Sequence, residues 1–169
     1  MQERYWRLLI QLKADAVYTG CYVERSEAWD NGIAMFSALV SSGSISAWAV
    51  WKKFDWLWAL LVAASQVLNV VKQYLPFKKR ILPVRAIAYA YEEIFLKAES
   101  RWFDVAQGNL TEAEINEMIS DLKVDQLRAW KKGVGNLTVP ISSGVRKKSD
   151  LLTAEYFRQT YSMSVTIRP

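Results

Sequence analysis

Histidine is absent from this 169-residue chain, and cysteine occurs once, at Cys21. Histidine-based triads, Cys-His nucleophile pairs, Cys/His zinc sites and an intramolecular disulfide are therefore all excluded. No Gly-rich phosphate cradle replaces them, because Gly133 and Gly135 lack the following Gly-Lys-Ser/Thr context. A Ser-Lys dyad built from Lys72 and the serines upstream finds no position that pairs the two groups convincingly. The chain is expected to be no enzyme, with no catalytic residues, no cofactor and no metal.

Charge is also missing, but only locally. No Asp, Glu, Lys or Arg occurs from Asn31 to Trp51, and none from Trp56 to Val71. At about 1.5 Å of rise per residue, the first run matches the roughly 30 Å of a bilayer's hydrocarbon. The second is shorter, but Lys72 can snorkel to the headgroups, and continuing to Phe77 gives a usable length of about 20 residues. Only Lys52, Lys53, Phe54 and Asp55 separate the runs, as in a tight antiparallel hairpin of two transmembrane helices. Trp29, Trp48, Trp51, Trp56, Trp58, Tyr74 and Phe77 bracket both runs, where amphipathic rings prefer the membrane interface. Trp48, Trp51, Trp56 and Trp58, with Lys78, Lys79 and Arg80, are the expected interface anchors. Serines at 37, 41, 42, 44 and 46 weaken insertion of the first run and leave open a hairpin buried in a soluble bundle.

A net charge of +5 suits either nucleic acid or an anionic membrane. Lysine and arginine are sparse in the connecting loop and abundant beyond it, at Lys13, Arg25, Lys72, Lys78, Lys79, Arg80 and Arg85. The positive-inside rule then puts both termini in the cytoplasm, with the hairpin tip outside. Lys13 and Asp15 interrupt the first apolar stretch, so no signal peptide is expected. The basic triplet Arg146, Lys147, Lys148 reads as a solvated linker, and nucleic acid is not an expected partner. The sequons at Asn109 and Asn136 fall on the cytoplasmic side and read as chance.

The pattern is otherwise helical. Residues 1–31 read as an amphipathic N-terminal helix carrying Trp6, Leu9, Leu12 and Val17, running into a hairpin at 32–77 with Asn31-Gly32 as its weak point. Pro76 and Pro83 mark bends. Cytoplasmic helices follow over 84–132. The first recurs apolar at Ile87, Tyr91, Ile94, Phe95, Ala98 and Trp102 and closes at Gly108-Asn109. The second opens on a capping box, Thr111 with Glu114, and a staple, Leu110 with Ile115, and carries Met118, Ile119, Leu122 and Leu127 on its apolar face. Residues 133–169 read as a linker and tail with one short helix, capped by Ser149 or Asp150 and reaching Tyr161. The fold class is thus an all-α membrane protein.

Two constellations within the hairpin carry content. Ala34, Ala38, Ser42 and Ser46 fall at successive i+4 steps, a ridge of small residues that admits another helix closely, either the hairpin's own second helix or another subunit. Gln66, Asn69 and Gln73 form a polar stripe, and amides in hydrocarbon need partners across an interface or water in a pore.

A helical N-terminus, a paired span over Ile33–Trp51 and Trp56–Tyr74, and helices such as Val84–Gln107 resemble the SLATT family of bacterial two-transmembrane effectors associated with nucleotide-second-messenger systems. The likeness covers residues 1–132 and is one of architecture. It implies an antiphage membrane effector that a partner module holds quiet, and that kills the cell by forming homo-oligomers that permeabilise the inner membrane. The expected partners are the lipid bilayer, other copies of the chain and a regulatory protein. The alternatives are a membrane anchor or adaptor that recruits a cytoplasmic protein, and a soluble basic helical binding protein.

Overall fold

The structure is a computed structural model that describes residues 1–50, 56, 60, 63–68, 70, 77–133 and 141–162, with only the backbone for 40–50 and 77–80. Among these residues it is all-α, without strands: α1 (Gln2–Val50), α2 (Phe77–Gln107), α3 (Glu112–Gly133) and α4 (Ser143–Tyr161), with residues 63–68 also helical. The chain divides into two compact units, one of residues 1–24 and 80–169, the other of residues 25–79.

The first unit has a core built from helical faces that the sequence spacing dictates. Tyr5, Leu9, Leu12 and Ala16 are buried along α1, and Ile87, Tyr91, Ile94, Phe95, Ala98 and Val105 along α2. Ile115, Ile119 and Leu122 face inward from α3, and Phe157 from α4. Rings knit three of these helices together. Trp6 lies 4.8 Å from Trp102 and 5.3 Å from Phe157 between ring centroids, and Phe157 meets Tyr156 edge to face. Long-range hydrogen bonds fix the register of α1 on α2: the Tyr5 hydroxyl donates to the Ala98 carbonyl at 2.9 Å, and the Gln2 amide donates to the Val105 carbonyl at 2.9 Å. Burial pushes the Tyr5 and Tyr91 hydroxyls up to about 12.

Helix ends follow local chemistry. α2 stops in a Schellman arrangement: Gly108 takes φ +74°, its N–H donates to the Val105 carbonyl, and the Asn109 N–H donates to the Asp104 carbonyl, both at 3.2 Å. α3 starts at the expected capping box. The Thr111 N–H and hydroxyl each donate to Glu114 at 2.7 Å, and the Glu114 N–H donates back to the Thr111 hydroxyl at 3.3 Å. These bonds hold the Glu114 carboxyl below its ordinary range. Leu110 packs on the core beside buried Ile115, as a staple does.

Several expectations need correction. Asn31-Gly32 does not interrupt α1, which runs unbroken to Val50 because an isolated glycine only weakens a helix. Pro83 lies inside α2, which starts at Phe77 rather than at residue 84, so only one rung of the ladder is lost near the helix start. Residues 143–148 belong to α4 and not to a linker. Ser142 is the N-cap residue of α4, and Ser149 and Asp150 lie within the helix. Leu127 is exposed, off the buried face of α3. Among the described residues, no helix is long and apolar enough to cross a membrane.

Candidate functional site

The candidate site is the second unit, residues 25–79, where polarity is distributed unlike the first. Of its described large apolar side chains, Trp29, Met35, Leu39, Trp56, Leu60, Val67 and Val70 are more than half exposed, and Ile33, Phe36 and Leu68 are half-buried. Ser65 and Ser26, in contrast, are buried. Contiguous exposed apolar patches mark lipid or protein contacts.

The small-residue ridge is open where its side chains are described. Ala34 and Ala38 are exposed among the described residues. Ser42 and Ser46 continue the same helix as backbone, in α1, and their side chains lie outside the described residues. Of the amide stripe, Gln66 is exposed on a helical segment, whereas Asn69 and Gln73 lie outside the described residues. Among the anchors, Trp56 is exposed, Trp48 is described as helix backbone in α1, and Lys78, Lys79 and Arg80 as helix backbone in α2. Trp51 and Trp58 lie outside.

Sequence reasoning missed an apolar groove on the same unit. It measures about 490 Å³ and is lined on α1 by Arg25, Trp29, Gly32 and Phe36, with Leu68 facing them. Positions 25, 29, 32 and 36 share one helix face, and that spacing was the available signal. Gly32 forms part of the floor, and a Cβ placed there would meet nothing within 4 Å. The groove can hold an alkyl chain or an apolar side chain, and Arg25 supplies a cation at its edge.

Among the described residues no group of three or more Cys, Asp or Glu side chains could hold a metal ion. Cys21 is buried in the first unit, and burial raises its thiol above the ordinary range, away from the reactive thiolate. No protein-family model matches the chain, and no curated protein or solved structure matches it.

Proposed function

We propose that the chain is a membrane effector whose residues 32–77 insert as a two-helix hairpin with both termini in the cytoplasm. It assembles with other copies and permeabilises the bacterial inner membrane in an antiphage response. The observation that carries the reading is the polarity of the described residues of the second unit, where seven large apolar side chains are more than half exposed while Ser26 and Ser65 are buried. Two charge-free runs and the flanking tryptophans support it from the sequence, as does the architectural resemblance to SLATT effectors. Of the two runs, the structure describes helix at 31–50, with side chains only to residue 39, and at 63–68. The second stretch alone is too short for about 30 Å of hydrocarbon, so the second span also needs the residues on either side of it.

Assembly is assigned to the open ridge at Ala34 and Ala38 and to the amides at Gln66 and Asn69. The test is alkaline carbonate extraction of cell membranes together with dye leakage on induction. The parent should stay in the pellet and leak dye. Gln66→Leu with Asn69→Leu should also stay in the pellet, since both changes favour insertion, yet leak less, by roughly 1 kcal/mol of helix association per lost hydrogen bond. Release of the parent by carbonate refutes membrane insertion. Retention without leakage identifies an anchor or adaptor instead.

A further inference from the structure

Two stretches of the first unit hold bases and no acids, residues 80–91 and residues 126–149. The fold brings them to one end of that unit. Along α1, the second half of α3 is fixed at residue 15, where the Gln126 amide donates to the Asp15 carboxylate at 2.9 Å. The start of α4 is fixed at residue 18, where the Ser142 N–H donates to the Tyr18 hydroxyl at 3.1 Å. The end of α3 in turn lies on the start of α2, with Gly133 against Ile87 and the Pro83 carbonyl. The chain passes from this end into residues 25–79 and returns to it at residue 80.

Some of these charges are already spent within the chain. Lys148 donates to Glu24 at 3.0 Å, Arg128 pairs with Asp125 at 3.4 Å, and Arg85 also has a contact of its own. Lys131, Lys132, Arg146 and Lys147 are exposed and form no ion pair among the described residues. Asp150, one turn after Arg146, is half-buried. Lys131 and Lys132 stand in the last turn of α3, where bases suit the negative end of the helix dipole. Arg146 and Lys147 stand near the start of α4, where they oppose it. The first turn of α4 holds no acid to compensate, and Ser142 gives no side-chain cap. Helix stability therefore does not account for this pair of bases.

We infer that this end of the first unit docks on anionic lipid headgroups through Lys131, Lys132, Arg146 and Lys147. Apolar side chains stand among the bases: Leu82 is 69% exposed, Ile141 82% and Trp130 37%. A nucleic acid would reward the bases but leave Leu82 and Ile141 in water. A headgroup layer offers phosphates to the bases and acyl chains just beneath them to the apolar groups. Each base near an anionic leaflet favours the docked state about fivefold. The choice of lipid as occupant rests on the proposed function, which it deepens by naming the class of lipid the first unit recognises.

The test mixes the full chain, with Cys21→Ala and a fluorophore on Ser143→Cys or Ala113→Cys, with vesicles that carry a headgroup quencher. Both positions are exposed, one at the start of α4 and one at the start of α3, at the other end of the unit. The vesicles are phosphatidylcholine alone or with phosphatidylglycerol added. On the anionic vesicles the label at Ser143→Cys should be quenched and that at Ala113→Cys spared. Leaving out phosphatidylglycerol, raising the salt, or adding Lys131→Gln, Lys132→Gln, Arg146→Gln and Lys147→Gln should each relieve the quenching. Each lost charge should lower the ratio of docked to undocked protein about fivefold, while the near-ultraviolet circular dichroism of the aromatic core is retained. Equal quenching at the two positions, equal quenching on neutral vesicles, or indifference to the four substitutions overturns the docking. So does a DNA duplex that the parent binds in preference to anionic vesicles, which makes this end a nucleic-acid surface. Carbonate release of a parent that still docks keeps the surface and removes the inserted hairpin. Carbonate retention without charge-dependent quenching keeps the hairpin and removes the surface.

Discussion

The ammonium of Lys13 lies 4.5 Å from the centre of the Phe95 ring and 4.4 Å from that of Tyr156, and donates to Glu92 at 2.7 Å. Its side chain is 11% exposed, that of Glu92 42%. The asymmetry sets the order of two mutations. Removing the carboxylate with Glu92→Gln leaves a buried cation with ring faces and a neutral amide oxygen in place of its counter-charge, an expected loss of about 2–3 kcal/mol. Removing the cation with Lys13→Met keeps the aliphatic stem in the core and lets Glu92 rehydrate, an expected loss under about 1 kcal/mol. Thermal melts of the full chain, followed in the near ultraviolet, rank the two, and a larger loss for Lys13→Met would contradict this account. Nothing in the sequence marked Lys13 as interior. A lysine that interrupts an apolar stretch reads as a break toward the surface, and only the folded arrangement of Phe95, Tyr156 and Glu92 supplies what burial requires.

At the scale of helices, the parts legible in the sequence were those whose chemistry is local. The Thr111–Glu114 box and the Gly108 stop involve neighbours a few residues apart, and both stand where the spacing put them. α4 was only half legible because its inward face reads Val145, Ser149, Thr153, Phe157, with two hydroxyl residues in the middle. Those hydroxyls are tolerated inside because each donates to a carbonyl of its own helix, Ser149 to Arg146 at 2.9 Å and Thr153 to Ser149 at 2.8 Å. In the second unit, sequence reasoning singled out the ridge and the amides but not the groove, whose Arg25 and Gly32 break the apolar pattern.

Glycines show how far close packing controls a helix. A Cβ at Gly133 would lie 2.7 Å from Cδ1 of Ile87 and 3.3 Å from the Pro83 carbonyl, whereas one at Gly20 would meet nothing within 4 Å. Gly20→Ala should therefore stabilise α1 by about 0.8 kcal/mol through helix propensity alone. Gly133→Ala should destabilise by about 1–3 kcal/mol, the range for overpacking a core. Denaturant midpoints of the two variants, measured against the parent, should move in opposite directions.

For the whole molecule, orientation is the first consequence of the proposed insertion. Phe54 lies in the short stretch between the two charge-free runs, and Lys147 is exposed on α4. In a Cys21→Ala background, Phe54→Cys should react with an impermeant thiol reagent added to intact spheroplasts. Lys147→Cys should react only after the membrane is opened. The opposite labelling would reverse the topology that the lysine and arginine bias predicts.

The first unit is assembled from both sides of the second along the chain. Its bonds join Tyr5 to Ala98, Arg4 to Asn116 and Glu24 to Lys148. The order of synthesis then matters. The apolar face of α1, with Leu9 and Leu12, is made before residues 25–79, and the Phe157 that completes its surroundings is made long after them. At roughly 5–20 residues per second, the ribosome takes about 4–16 s to travel from Lys79 to Tyr161. Throughout that interval residues 25–79 are already made while the core formed by the flanking segments is still open. Nascent chains caught in this window expose the apolar face of α1 and the exposed apolar side chains of the second unit at once, before the first unit can close.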